Sequence, residues 1–502
     1  MFKRILIANR GEIAVRIIRA CRELGIEAVA VFSEADRGAL HVREADLAVP
    51  IGPAPAAQSY LRAERIVEAA KRARAEAIHP GYGFLAENAD FARAVTGAGL
   101  VFIGPSASAM EKMGDKVEAR KLMQAAGVPV TPGSPGTLES AQQVREYARK
   151  LGLPVLLKAA AGGGGKGMRL IEREDEIAEA VRRVASEATA SFGDGRFYLE
   201  KFVRRPRHIE VQIFADADGR TVHLGERECS IQRRHQKLVE ESPSPLVTPQ
   251  MRERMGEVAV RAARAVNYVG AGTIEFLADA ERNFYFMEMN TRIQVEHPVT
   301  EMVTGFDLVK AQIEVAAGLP LPFTQEEIAQ RGWAVECRLY AEDPLQGFVA
   351  APGRVACMRA PEGPGIRHDC GVYAGGEVSN YYDPLISKLI AWGRDRQEAI
   401  ARMRRALDEF IIAGTLTTNL SFHQWLMNHP RFIAGDFDTH FVAQEFHPQD
   451  PPRAFDDPAH AAALLAAAFS AQRSGAGTLA QARPTRNPSA WKTAGRLEAL
   501  RP

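Results

Sequence analysis

The chain lacks most features that would tie it to a cell surface, a membrane or a nucleic acid. Among 502 residues there are five cysteines: Cys21, Cys229, Cys337, Cys357 and Cys370. They are scattered, odd in number and without a C-x-x-C pair, which fits a reduced, cytoplasmic protein with no structural zinc. No apolar run is long enough to span a bilayer, and the short run in MFKRILIANRGE is too brief for a signal-peptide core. Lys plus Arg number 63 against 62 Asp plus Glu, a formal net charge of +1. No global field therefore draws in nucleic acid or a membrane surface. There is no internal repeat of solenoid period. No G-x-G-x-x-G follows the first strand, which argues against a dinucleotide site there, and no Walker A loop is present. What remains is a globular balance, 46% hydrophobic and 25% charged. At roughly 150 residues per domain, the length suggests about three domains.

The N-terminal part alternates strand and helix patterns. RILIA and EAVAVFS (27–33) read as strands, EAIHP as a strand end and NRGE as a turn. Ile13, Ile17, Cys21 and Leu24 recur at helical spacing, and YLRAERIVEAAKRAR and LAENADFARAVTGAG continue the helical pattern. A βαβα order predicts a parallel sheet. From Asp115 to about 317 the chain is richer in β patterns and glycine. After LPLPF, another β-rich region runs from WAVECRLYAED to YYDPLISKLIAWG, followed by the helical RDRQEAIARMRRALDEFII. From about 449 the composition turns to Ala, Pro and Ser, a linker pattern with one short Ala-rich helix.

Four stretches carry chemistry. In LKAAAGGGGKGMRLI (157–171), glycines between apolar strands give a hairpin loop. Gly164, Gly165 and Gly167 let backbone N–H groups approach phosphate oxygens, and Lys158 and Lys166 add positive charge. The loop is either a surface hairpin or a phosphate lid. GTIEFLADAERNFYFMEMN folds back on itself if its turn centres near Ala280–Arg282, which sets Glu275 roughly opposite Glu288. Facing carboxylates repel unless a cation lies between them. With Asn290 they form an oxygen set suited to Mg²⁺ or Mn²⁺; the other reading is that both face water. In EMNTRIQVE (288–296), an extended conformation would put Glu288, Asn290, Arg292, Gln294 and Glu296 on one side. ERECSIQRRHQKLVEESPSP packs Arg227, Arg233, Arg234, His235 and Lys237 among acids, either a solvated charge run or cations for a phosphoryl group.

Taken together, these stretches resemble a known family. The glycine loop and the EFL…YFMEMN hairpin resemble the ATP-grasp fold. IANRGEIAVRIIRA, HPGYGFLAEN, FIGPSASAMEKMGDK, ECSIQRRHQKLVEESPSP, EMNTRIQVEHPVTEMVTG and AVECRLYAEDP, in order from residue 2 to about 446, resemble the biotin carboxylase component of biotin-dependent carboxylases. The resemblance implies an α/β (α+β multidomain) architecture. A Rossmann-like N-terminal domain would cover 1–114, and an ATP-grasp domain 115–317 with a mobile lid at about 131–203. A mixed β/α C-terminal domain would cover 318–446, and an Ala/Pro-rich tail or linker 447–502.

It also implies an ATP-dependent ligase that carboxylates biotin with bicarbonate through carboxyphosphate. Lys116, Lys158, Gly164, Gly165, Lys166 and Met168 would contact ATP phosphates or close over them. Lys166 stands where some relatives have arginine. Glu200, Lys201 and Val203 would sit at the adenine, with His208, Gln232 and His235 lining the nucleotide pocket. Glu275 and Glu288, with Asn290 close by, would bind two Mg²⁺ or Mn²⁺ ions. Lys237, Arg292, Gln294 and Val295 would hold bicarbonate, Glu296 would be its base, and Arg338 would stabilise the biotin enolate. Tyr82 and Phe84 would lie near the carboxylating region.

Carrier domains of the family attach biotin at a Met-Lys dipeptide, which this sequence lacks. The expectation is therefore a separate biotin carboxyl carrier protein and a separate carboxyltransferase subunit, with a homodimer as the family's common state. The acceptor would be acetyl-CoA or propionyl-CoA, linking the chain to fatty acid or acyl-CoA metabolism, with pyruvate as the alternative. A different ATP-grasp ligase would lack the pair RRHQK and EMNTRIQVEHP. A non-catalytic, nucleotide-binding regulatory subunit would have lost Lys237, Arg292, Glu296 or Arg338, and all four are present.

Overall fold

The first sheet grows from short apolar runs separated by helices. A computed structural model describes residues 1–160 and 167–447. Five parallel strands lie in the order Leu47–Gly52, Glu27–Ser33, Arg4–Ile7, Ala77–His79, Val101–Phe102. Sequential strands move outward on both sides of Arg4–Ile7, as in a doubly wound fold. Helix Gly11–Glu23 packs one face through Ile13, Ile17 and Cys21, and helices Ala63–Ala73 and Ala89–Gly97 pack the other through Ile66 and Phe91. NRGE is only half a turn: the helix begins at Gly11, so Glu12 is helical. The Asn9 side chain instead ties the turn to the next connection, donating to the carbonyls of Pro80 and Tyr82 at 2.7 Å each.

Residues 141–201 form a small three-stranded antiparallel sheet, Met168–Ile171, Val155–Ala159, Phe197–Lys201, covered by helices Ala141–Leu151 and Ile177–Phe192. The strands on either side of the glycine-rich run, Val155–Ala159 and Met168–Ile171, pair directly. Gly164, Gly165 and Lys166, like residues 448–502, lie outside the described residues.

The site is carried by an eight-stranded antiparallel sheet. Its order is Phe284–Asn290, Gly270–Ala278, Arg207–Ala215, Thr221–Arg233, Gln236–Ser242, Trp333–Tyr340, Leu385–Gly393, Ile366–Cys370. The sheet runs without a break across the connection near residue 318. Alternation explains its two faces. In Arg207–Ala215, Ile209, Val211 and Ile213 point to an apolar core with helix Pro249–Ala265, alongside Ile274 and Phe276. The intervening His208, Glu210 and Gln212 point the other way, yet all three are buried. A strand with polar groups enclosed on one face and apolar groups on the other is where chemistry is expected.

Candidate functional site

Strand register builds a lateral row of charge. Glu275 pairs with Glu288 on one side and Glu210 on the other, and Glu210 pairs with Arg227. The expected pairing of Glu275 with Glu288 is therefore the one observed. Three carboxylates in adjacent strands repel, and buried ones repel more strongly. Lys237, from the strand Gln236–Ser242, offsets this: its Nζ lies 2.6 Å from Glu210, 3.0 Å from Glu275 and 2.6 Å from Glu296. Burial alone would lower the Lys237 pKa, but these carboxylates hold it well above its ordinary value. Arg227, fully buried, completes the shell: it pairs with Glu210 and donates to Gln212 and Gln294 at 2.6 Å each. Burial raises the Glu275 carboxyl, but Lys237 and His208, whose Nε2 lies 3.1 Å away, overcome that and bring it below its usual range. Glu288 moves the opposite way, raised by burial and by the charge on Glu275. Among the described residues Glu288 makes no ion pair.

The EMNTRIQVE stretch is not extended throughout. The strand ends at Asn290, and residues 291–296 form an irregular turn into helix His297–Thr304. Glu87 takes over where the ladder stops, accepting from the Thr291 N–H at 2.9 Å and from Arg292 Nε at 2.9 Å. The polar residues still converge, by this turn rather than by alternation. Asn290 donates to Glu275 at 2.9 Å and accepts from Arg292 at 3.0 Å. Gln294 donates to the same Glu275 oxygen at 2.8 Å. Glu296 is held between Lys237 and Arg338, whose Nη2 lies 2.9 Å away. Against the effect of burial, those two cations keep the Glu296 carboxyl well below its usual range.

The small sheet supplies a second group. Lys158 pairs with Glu200 at 2.6 Å, and Arg120 reaches the other Glu200 oxygen at 3.1 Å. Lys116 opens helix Lys116–Ala125, and burial lowers its pKa against the pull of Glu288. Met168 lies opposite Lys158 in the ladder. Lys201 donates to the Gly152 carbonyl at 2.7 Å, and Val203 lies two residues beyond, both half-buried. Gln232 lies opposite Lys237, and His235 sits in the connecting turn at φ +68°.

Two expected residues bond to none of Glu275, Glu288 and Glu296 among the described residues. Tyr82 donates to Glu12, and Phe84 stacks on Tyr60 at 5.0 Å with Tyr382 edge-on at 6.3 Å. Sequence reasoning missed Glu87, Glu210, Glu12 and Lys388. The usable signal was a charged residue inside a β-rich apolar run, as in RHIEVQIFA and LISKLIAWG. Among the described residues no helix is long and apolar enough to cross a membrane.

A buried row of carboxylates neutralised by Lys237 and Arg227, with Lys158 and Arg120 paired to Glu200 in a second group, is a site built to handle anionic chemistry. Comparison with known proteins gives the family. Residues 1–110 match the model "Biotin carboxylase, N-terminal domain" and 336–444 the "Biotin carboxylase C-terminal domain". Residues 115–324 match "Carbamoyl-phosphate synthase L chain, ATP binding domain". Biotin carboxylase 1 of Bacillus subtilis is 54% identical over 443 residues, 88% of this chain and 98% of that one. A pyruvate carboxylase subunit of Methanothermobacter thermautotrophicus is 55% identical over 442 residues, 88% of this chain and 90% of that one. The biotin carboxylase domain dimer of Hydrogenobacter thermophilus 2-oxoglutarate carboxylase, solved with MgADP, ADP and bicarbonate, superposes with a TM-score of 0.85 at 48% identity. That alignment covers 90% of this chain and 99% of that one. The chain belongs to the biotin carboxylase family of ATP-dependent ligases, and the expected α/β multidomain fold is the one it has.

Proposed function

We propose that the chain carboxylates biotin carried on a separate protein, using ATP and bicarbonate through carboxyphosphate, as the first half-reaction of an acyl-CoA carboxylase. The observation that carries this is Glu296, a buried carboxylate gripped by Lys237 at 2.6 Å and Arg338 at 2.9 Å. It is a proton acceptor with a cation on either side. Bicarbonate fits between Lys237, Arg292, Gln294 and Val295, where Glu296 takes its proton and Lys237 neutralises the nucleophile. Arg338 steadies negative charge on the ureido oxygen of biotin, and Tyr82 and Phe84 border that side of the site. Biotin itself supplies the nitrogen that takes up the carboxyl group.

Lys116 and Lys158 meet the nucleotide phosphates, with Gly164, Gly165, Lys166 and Met168 as further phosphate-binding residues. Glu200, Lys201 and Val203 meet the adenine, with Gln232, His208 and His235 beside it. Glu275, Glu288 and Asn290 offer oxygens to Mg²⁺ or Mn²⁺. Glu275 and Glu288 stand opposite one another in adjacent strands, a placement that fits two carboxylates sharing a divalent cation. Bound there, the ions would neutralise phosphate charge, so that phosphoryl transfer needs only positioning from the protein. A lid over about 131–203 would keep water from the labile intermediate.

Acetyl-CoA or propionyl-CoA is the acceptor we favour, transferred by a separate carboxyltransferase, with the chain acting as a homodimer in the cytoplasm. Pyruvate is the second reading, favoured by the 55% identity to a relative named for pyruvate carboxylase. The first test is ATP hydrolysis by the purified chain with Mg²⁺, with and without bicarbonate and free biotin. Hydrolysis that requires bicarbonate and rises with biotin supports the reading. No response to either, with ATP still bound, overturns it.

A further inference from the structure

The turn at 291–296 carries Arg292, Gln294 and Glu296, yet among the described residues it has no strand partner. A segment that must hold three polar groups in register needs its backbone fixed by something else. Two charged side chains from distant parts of the chain do this. At its start, Glu87 accepts from the Thr291 N–H at 2.9 Å. At its end, Lys388 donates from Nζ to the Val295 carbonyl at 2.8 Å.

Lys388 is fully buried in the strand Leu385–Gly393, flanked in register by Arg338 on one side and Asp369 on the other. Burying an amine costs several kcal/mol unless its bonds are met. Its Nζ also lies 3.2 Å from Glu12 Oε2, and Tyr82 donates to the other oxygen of that carboxylate. A purely structural ion pair would be complete with Glu12 or Asp369. The bond to Val295 spends a charged donor on a main-chain carbonyl next to Glu296, and ties the turn to both the first helix and the eight-stranded sheet.

We propose that Lys388 is a positioning residue for the bicarbonate pocket, holding the Arg292–Glu296 turn through the Val295 carbonyl while Glu12 and Tyr82 fix its amine. This rests on the reading that bicarbonate lies against that turn. The test is steady-state kinetics of bicarbonate-dependent ATP hydrolysis by the full chain as Lys388→Met. The double variant Lys388→Met/Glu12→Gln is run beside it, so that Glu12 is not left as an orphaned buried carboxylate should the single variant fold poorly. Arg292→Ala reports on the pocket itself. The expected result is a bicarbonate KM raised about tenfold in both Lys388 variants with the ATP KM within about twofold, a split that general loss of packing would not produce. Equal changes in both KM values, or a fall in kcat alone, overturn the proposal. If Arg292→Ala raises the bicarbonate KM and the Lys388 variants do not, the positioning role is wrong and the pocket stands. If none of the three raises it, the pocket reading fails and the proposal with it.

Discussion

Two groups of buried carboxylates share one sheet and are treated in opposite ways. Around Lys237, Glu210, Glu275 and Glu296 each have a cation within 3.0 Å. On the strand that carries Lys237 and the one beside it, Glu240 and Glu336 face each other in register, both buried. Arg338 reaches Glu240, yet no oxygen of either carboxylate has a well-formed hydrogen bond among the described residues. The consequence appears in their proton affinities. Glu275 and Glu296 are held below the usual range by their cations, against burial. Glu240 is pushed up to about 7, and Glu336 well above its ordinary value, by burial and by neighbouring carboxylate charge. Burial is common to both groups; the cation decides which carboxylates stay ionised. Glu275 and Glu296 are thus held ionised, and Glu240 and Glu336 are biased toward the protonated form. Arg338, in contact with Glu296 and Glu240, is the seam between them.

That contrast can be broken most sharply at Glu296. Glu296→Ala should lower bicarbonate-dependent ATP hydrolysis by about 10²–10⁴-fold while nucleotide binding persists. Unchanged turnover would mean the ionised group is structural. Lys237→Met removes the shared cation, and melting at neutral pH should report a loss of about 3–5 kcal/mol. The sign with pH follows from the lowered carboxyls. In the wild type they contribute stability above a pH of about 4.5 that is lost on acidification. The deficit of the variant should therefore hold steady from pH 7 to about 4.5 and shrink as the pH falls below that, and a deficit that stays constant below about 4.5 would show that Lys237 matters only for packing.

Arg338→Ala should cut free-biotin carboxylation roughly 10²-fold and ATP cleavage much less. Equal losses would remove it from the biotin side. The smallest effect belongs to the second group. A raised carboxyl favours the folded state at acid pH, and that advantage fades as the pH rises through the folded pKa. Glu336→Gln has no such carboxyl. Its stability relative to wild type should climb by about 1–2 kcal/mol between pH 5 and pH 8, read by thermal melts. A flat difference would mean that burial does not raise the Glu336 carboxyl.

The sequence made some of this legible and hid the rest for physical reasons. Parallel strands and their helices were readable because short apolar runs and helical spacing are local signals. The Glu275–Glu288 pairing was readable because a polar turn sets hairpin register. The convergence of Arg292, Gln294 and Glu296 was anticipated through alternation, but it arises where the strand stops at Asn290 and Glu87, some 200 residues away in the chain, caps the ladder. Lys388 and Glu12 were invisible for the same reason, since a single charge in an apolar run announces burial but not its partner. NRGE looked like a turn because its Asn and Gly are turn formers, and only the contacts of Asn9 with Pro80 and Tyr82 show why the helix begins at once.

The lateral row has a consequence for how this molecule can vary. Glu288, Glu275, Glu210 and Arg227 meet because four strands keep the same parity at one line across the sheet. A one-residue insertion upstream of Glu210 within Arg207–Ala215 would exchange faces, turning Glu210 into the helix-packed core and Ile209 toward the carboxylates. The same insertion at the Asp279–Asn283 turn would leave the row intact. Length is therefore free at the hairpin tips and forbidden in the strands, so lineages can lengthen the edges of this enzyme while its charged line cannot drift by a single position.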